Sequence, residues 1–249
     1  MLVRARLDIE MARRGLAESR ETARRLIMAG RVRVNSRPAD KPDLLVTAAS
    51  TITVVGSDPQ YASRGAYKLI AALDAFGIEV AGRHALDVGA STGGFTDVLL
   101  KRGAAHVIAL DVGYGQIAER LRTDPRVTVL DRTNVRLVEG RTLPYLPDLV
   151  TIDTSFISLR IVIPAVLALV AAKAEIIALV KPQFEVGKGK VGKGGIVRDD
   201  ALRRTALEGV LSSARQAGLE IVGSIDSPIE GARGNREFLV AMKLADSGK

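Results

Sequence analysis

Four charged residues fall at places where a buried sheet rarely tolerates charge. Asp153 and Lys181 each end an apolar run, residues 149–152 and 176–180. A lysine closing a buried strand carries a large desolvation cost unless a carboxylate lies near, and Asp153 is the obvious partner. Glu237 opens a further apolar run, and Lys68 lies on a helix that precedes the first strand of the main sheet. Taken singly, each reads as a salt-bridge partner. Arriving together at one sheet edge, they form a set of the residue types that move protons and offset developing charge.

Beside this set lies Ala85-Leu86-Asp87-Val88-Gly89-Ala90-Ser91-Thr92-Gly93-Gly94-Phe95-Thr96-Asp97. It reads as an apolar strand ending in an acid, a glycine-rich turn and a helix start. Glycines allow a sharp turn and a close ligand approach, and the helix directs free N–H groups at the turn. The spacing is not the dinucleotide fingerprint G-x-G-x-x-G. It resembles the first motif of S-adenosylmethionine-dependent methyltransferases, which makes Asp87, Gly89, Ala90, Ser91, Thr92, Gly93, Gly94 and Phe95 candidate cofactor residues. Asp111, with Val112 after it, ends a second strand where an acid can accept two ribose hydroxyls. Asp131 and Asn134 follow a third strand, in place for an adenine amino group. A strand-terminal Asp can equally cap the next helix.

These residues need a doubly wound sheet to position them, and the chain alternates accordingly. Strands are expected at 85–88, 106–110, 127–130, 149–153 and 176–180. Ser63 is expected to cap a helix from Arg64 to about Phe76, and residues 159–172 read as an apolar helix. A helix from Asp199 to about Ala217 leads to antiparallel sixth and seventh strands near 219–225 and 237–244. The loop 187–195 holds Lys188, Lys190 and Lys193 among glycines, which suits a mobile flap over a polyanion or a plain solvated loop.

The 249 residues suffice for such a domain plus a small accessory. No cysteine is present, so disulfides, Cys-ligated zinc and a cysteine nucleophile are excluded. No apolar run is long enough to span a bilayer, and the Arg-rich, acid-containing N-terminus is not a secretory signal. Net charge is +8, of which residues 1–56 contribute +5, so a polyanionic partner is expected to meet the front of the chain.

That front reads as a helix around Leu7 and Met11 stopped by Gly15, and a second helix capped by Ser19 and ending before Gly30. A strand with alternating valines and arginines then reaches an Asn35-Ser36 turn, and residues 51–55 form a returning strand. R-L-D, G-L-A-x-S-R and L-I-x-x-G-x-V-x-V-N resemble the alpha-L RNA-binding fold of a small-subunit ribosomal protein, pseudouridine synthases and tyrosyl-tRNA synthetases. Arg4, Arg6, Arg20, Arg24, Arg25, Arg31 and Arg33 are spaced to grip phosphates, with Arg64 beyond them. No aromatic residue precedes Tyr61, so contact by shape and phosphate must replace base stacking there. Gly56-Ser57-Asp58-Pro59-Gln60 reads as the linker.

S-R-x-x-Y-K-L, D-V-G-x-S-T-G-G-F, D-x-S-F-I-S, K-P-Q-F-E and G-N-x-E-F resemble the FtsJ-like ribose methyltransferases. With the RNA-binding front, the chain resembles the TlyA, or haemolysin A, family along almost its whole length. The resemblance implies an α/β, Rossmann-like seven-stranded methyltransferase sheet in residues 61–249, and a small α+β alpha-L RNA-binding domain and linker in residues 1–60. It maps a Lys-Asp-Lys-Glu tetrad onto Lys68, Asp153, Lys181 and Glu237. It implies cytoplasmic 2′-O-methylation of ribosomal RNA at cytidine, with S-adenosylmethionine as cofactor and ribosomal RNA or ribosomal subunits as partner. Lys181 would act as base or as electrostatic stabiliser, with no metal and no membrane involved. Base amino-methylation would need N/D-P-P-Y/F where the chain has Asp153-Thr154-Ser155-Phe156. The readings left beside it are a non-catalytic RNA-binding factor and a membrane-lytic protein.

Overall fold

The computed structural model describes residues 4–17, 19–55, 61–187, 189, 191–231 and 234–244. The linker 56–60 and the loop residues Lys188 and Lys190 lie outside these, as does the side chain of Lys193. The chain divides into two compact units, Met1–Pro59 and Gln60–Lys249.

In the first unit β1 (Arg4–Arg6) leads into α1 (Leu7–Arg13), then α2 (Arg20–Met28). Ser19 caps α2 by accepting from the Thr22 N–H at 3.1 Å. β2 (Val32–Val34) and β3 (Arg37–Ala39) form a hairpin through Asn35 and Ser36, whose φ values of 50° and 67° give the twist a two-residue hairpin turn requires. β4 (Leu45–Thr47) pairs with β1, and β5 (Ile52–Val54) pairs with β2. The β1–β4 pair has no period-2 pattern long enough to announce it. Leu7, Met11, Ala23, Ile27, Val32, Val46 and Ile52 close the core.

Two acids are buried beside that core, and arginines compensate both. Asp8 receives Arg6 through paired contacts of 3.0 and 3.1 Å and Arg20 at 3.0 Å. Glu10 receives Arg13 at 2.6 Å and Arg14 at 2.7 Å, and Arg14 also donates to the carbonyls of Thr47 and Ser50.

The second unit opens with α3 (Ala66–Phe76), which begins two residues later than Ser63 capping would require. Gly65 is its cap residue, and the Ser63 hydroxyl instead accepts from the Gly65 N–H at 3.2 Å. Then follow β6 (His84–Val88), α4 (Gly94–Lys101), β7 (His106–Leu110), α5 (Glu119–Arg122), β8 (Val127–Leu130) and β9 (Leu149–Ile152). α6 (Leu159–Leu167), β10 (Glu175–Val180), α7 (Pro182–Glu185), α8 (Asp200–Gln216), β11 (Leu219–Asp226) and β12 (Phe238–Leu244) complete it.

The seven strands lie in the order β11-β12-β10-β9-β6-β7-β8. All pairings among β10, β9, β6, β7 and β8 are parallel, and β12 runs antiparallel to both β10 and β11. Period-2 alternation sends Leu86 and Val88 into a core with α6 and α8, and Ala85 into a core with α3 and α4. Chain order reverses direction between β6 and β9, so the crevice at their carboxyl ends is where such a sheet binds ligands.

Arginine partners depress the first unit's buried acids: hydrogen bonds from Arg6 and Arg20 take Asp8 from 3.8 to about 2, and those from Arg13 and Arg14 take Glu10 from 4.5 to about 2. An unfolded chain therefore binds protons at a higher pH than the folded one. The stabilisation is complete above about pH 5 and is lost as pH falls toward 2. Denaturant titrations of the whole chain, followed by NMR signals of residues 4–54, should show this acid loss. Asp8→Asn should lower stability at pH 7 and flatten the acid slope; an unchanged slope would contradict the assignment.

Candidate active site

The turn after β6 is held by Asp87, which is fully buried and touches only protein groups. One carboxylate oxygen accepts from the Thr96 N–H at 2.9 Å and its hydroxyl at 2.7 Å, and the other accepts from the Thr151 hydroxyl at 2.9 Å. Three elements, β6, α4 and β9, are thus tied at one point. Burial pushes Asp87 up to about 6 against the opposing pull of these donors.

The glycines of this turn answer to protein atoms. A Cβ at Gly89, where φ is +86°, would lie 2.5 Å from the Asp153 carbonyl oxygen. At Gly93 it would overlap Leu121, and at Gly94 it would overlap the Ser63 hydroxyl. Close packing against the Asp153 backbone, α5 and the segment before α3 thus requires glycine at all three positions, and Gly89 also faces the cavity described next. Ala90 and Phe95 are buried, and the Thr92 carbonyl accepts from the Ala118 N–H at 3.2 Å.

A cavity of 530 Å³ opens at the carboxyl ends of β6, β7 and β9, a size suited to a small-molecule ligand. Of the candidate cofactor residues, Gly89, Ser91, Asp111, Val112 and Asn134 line it, as does Asp153. Asp87, Ala90, Thr92, Gly93, Gly94, Phe95 and Asp131 are not in its wall. Asp111 accepts from the Ser91 N–H at 2.8 Å and the Gly113 N–H at 2.7 Å, one on each oxygen, and still faces the cavity. Asn134 caps a short helical turn by accepting from the Arg136 N–H at 3.1 Å. Asp131 turns to Arg122 at 3.0 Å and the Gly115 N–H at 3.2 Å.

The four charged residues form two pairs. Lys181 directly follows β10, and its Nζ lies 2.6 Å from Asp153 Oδ1 and donates to the Ser155 hydroxyl at 3.0 Å. Lys68, on the buried side of α3, meets Glu237 at 2.5 Å. Strand register explains the convergence: Val180 pairs with Phe238 and Ala178 with Ile152. Lys181, Glu237 and Asp153 thereby leave three adjacent strands at one edge. Gly231 lacks a Cβ where the Glu237 carboxylate sits.

Phe156 stands in the D-x-S-F-I-S motif, but the sequence assigns it no role. It is 90% exposed, lines the cavity and has φ +64°, a conformation costly for an aromatic residue. Its ring lies 5.2 Å from that of Phe184. The available signal was an aromatic residue closely following a strand-terminal Asp. Glu185 was also missed: it is buried and holds the start of α6 by accepting from the Ser158 hydroxyl at 2.6 Å and the Leu159 N–H at 2.8 Å. Among the candidate RNA-binding arginines, Arg6 and Arg20 are engaged with Asp8, and Arg31 donates to the Val55 carbonyl at 3.3 Å. Arg4, Arg24, Arg25, Arg33 and Arg64 are exposed. Among the described residues no cluster of three potential metal-binding side chains occurs, and no helix is long and apolar enough to cross a membrane.

Residues 61–244 match the FtsJ-like methyltransferase family model, and residues 5–52 match the S4 domain. The 16S/23S rRNA (cytidine-2′-O)-methyltransferase TlyA of Mycobacterium tuberculosis is 52% identical over 244 residues, covering 98% of this chain and 91% of its own. Hemolysin A of Brachyspira hyodysenteriae is 40% identical, covering 94% and 98%. A solved Streptococcus thermophilus chain carrying the hemolysin name superposes with a TM-score of 0.77 at 39% identity, covering 99% of this chain and 90% of its own. The chain belongs to the TlyA family of FtsJ-like methyltransferases that carry an S4 domain.

Proposed function

We propose that this chain transfers a methyl group from S-adenosylmethionine to a ribose 2′-hydroxyl of ribosomal RNA, at cytidine. The observation that carries the reading is the pair of lysine–carboxylate contacts at the sheet edge beside the cavity. Residues 1–60 are proposed as the RNA-binding domain and linker, and residues 61–249 as the methyltransferase domain. A ribosomal substrate implies a cytoplasmic site of action.

The cavity suits the proposed donor. Asp111 presents a carboxylate for ribose hydroxyls, and Val88, Leu110, Val112 and Val135 give apolar surface for a nucleobase, with Asn134 beside them. Asp87 ties β6, α4 and β9 together behind the turn that carries Gly89 and Ser91. Bound S-adenosylmethionine would supply an electrophilic sulfonium methyl. A secondary hydroxyl is a weak nucleophile at neutral pH, so this chain must orient it and handle its proton. Lys181 offers an ammonium against developing negative charge or, when neutral, an amine to take up the proton, and Asp153 at 2.6 Å holds and tunes it. Lys68 and Glu237 complete the charge balance and hold the ribose. Phe156, exposed at the cavity, offers a ring on which the target base stacks.

Methyl-tritiated S-adenosylmethionine and unmodified ribosomal subunits test the reading. Label should enter RNA as alkali-resistant dinucleotides, and Lys181→Ala should reduce it by about 10²-fold or more while donor binding persists. Alkali-sensitive label would move the product to a base; no label would favour a non-catalytic RNA-binding factor or a lytic protein.

The exposed arginines of α2 give a separate test. Arg24→Ala with Arg25→Ala should weaken RNA binding and reduce the salt slope of log K by about one for each phosphate no longer neutralised. A filter-binding series from about 50 to 200 mM salt with an unchanged slope would remove these residues from the RNA interface.

A further inference from the structure

The segment carrying Glu237 is held from behind by a cation that belongs to none of the family motifs. Arg203 lies in the first turn of α8 and is only 3% exposed. Its guanidinium meets Asp200 and lies 3.0 Å from Asp226. Its Nε donates to the Arg236 carbonyl at 3.3 Å, and its centre lies 4.7 Å from the centroid of the Phe238 ring. Arg236 and Phe238 are the two neighbours of Glu237 in the chain.

The carboxylates of Asp200 and Asp226 are more than half exposed, so an arginine on the helix surface could serve them. Contact with the Arg236 carbonyl and the Phe238 ring requires the guanidinium to be inserted under the start of β12. The planar fork of arginine can donate in several fixed directions and lie flat against a ring at once, which the compact ammonium of lysine does not reproduce. Phe238 packs into the α6–α8 core, whereas Glu237, one residue earlier, reaches Lys68 on α3 across the sheet. Fixing the residues on both sides of Glu237 therefore fixes where its carboxylate stands relative to Lys68.

We infer that Arg203 is a positioning residue for Glu237, setting the geometry of the Lys68–Glu237 pair from the opposite face of the sheet. The inference rests on the proposed role of that pair in methyl transfer. Register with β10 supports the strand, but Glu237 lies just before the first paired residue of β12. Its own carbonyl accepts from the Ser227 N–H at 2.9 Å, and the direction of its side chain is set further by what holds residues 236 and 238.

The test is a double-mutant cycle in the full-length protein, with kcat and the donor KM measured separately on unmodified ribosomal subunits. Arg203→Lys keeps the charge and removes the fork. It should lower kcat about tenfold with the donor KM within about twofold, and should cost less than about twofold once Glu237→Gln is present. Asp226→Asn, at a more exposed partner, should lower kcat in the same coupled way, and it carries the test if Arg203→Lys fails to fold. Equal losses in both backgrounds would overturn the inference, as would wild-type kcat in a folded but less stable Arg203→Lys. If Glu237→Gln alone leaves kcat intact, the proposed role of the pair falls first, and the inference falls with it.

Discussion

Charge held at the edge of an apolar sheet is the constraint on which this structure turns. Lys181 and Glu237 each adjoin a strand end whose neighbours are buried, and neither could be desolvated alone. Each is met by a partner of opposite sign, Asp153 at 2.6 Å and Lys68 at 2.5 Å. The pairing in turn demands the sheet order. Asp153 reaches Lys181 because β9 lies next to β10, and Glu237 arrives at the same edge because β12 runs antiparallel beside β10. Even Gly231 and Gly89 follow from it, one leaving room for a carboxylate and the other for the backbone of Asp153.

Asp87 shows how the same physics serves the turn. A carboxylate with no solvent contact is tolerated because three donors from two threonines surround it. Its position one residue before the end of β6 lets it bind the start of α4 and the neighbouring strand together. The glycine-rich turn is then a structural consequence: β9, α5 and the segment before α3 press on Gly89, Gly93 and Gly94. A cavity remains on the side those groups leave open, with Asp111 and Asn134 on its wall.

The middle of the sheet is legible because β7, β9 and β10 are largely apolar runs of four or more residues, and the acids after β7 and β9 are legible because charge seldom follows such runs. Lys68 and Glu237 are legible through motifs; register brings Glu237 to the site, and the buried side of α3 brings Lys68 to Glu237. What the sequence concealed were contacts between distant segments. Nothing local distinguishes Asp131, which pairs with Arg122, from Asp111, which faces the cavity. Nor does spacing indicate that the Ser63 hydroxyl would accept from the Gly65 N–H ahead of a helix that starts only at Ala66. Phe156 was hidden for another reason. Its left-handed backbone and its exposure are properties of a loop, where periodicity carries no information.

The arginines separate on the same principle. A run of basic residues in a sequence looks like one surface, yet each buried acid claims some of them. Asp8 takes Arg6 and Arg20, Glu10 takes Arg13 and Arg14, and Asp97 in the second unit takes Arg120 and Lys101. An arginine spent in this way fixes the fold and presents less of its charge to a polyanion. Arg24 and Arg25 sit on the exposed side of α2, opposite Ala23 and Ile27 in the core, and Arg33 faces outward from β2. The count of basic residues therefore overstates the surface available to RNA. The basic residues that remain unburied on α2 and β2 are the ones whose electrostatic attraction extends beyond the protein.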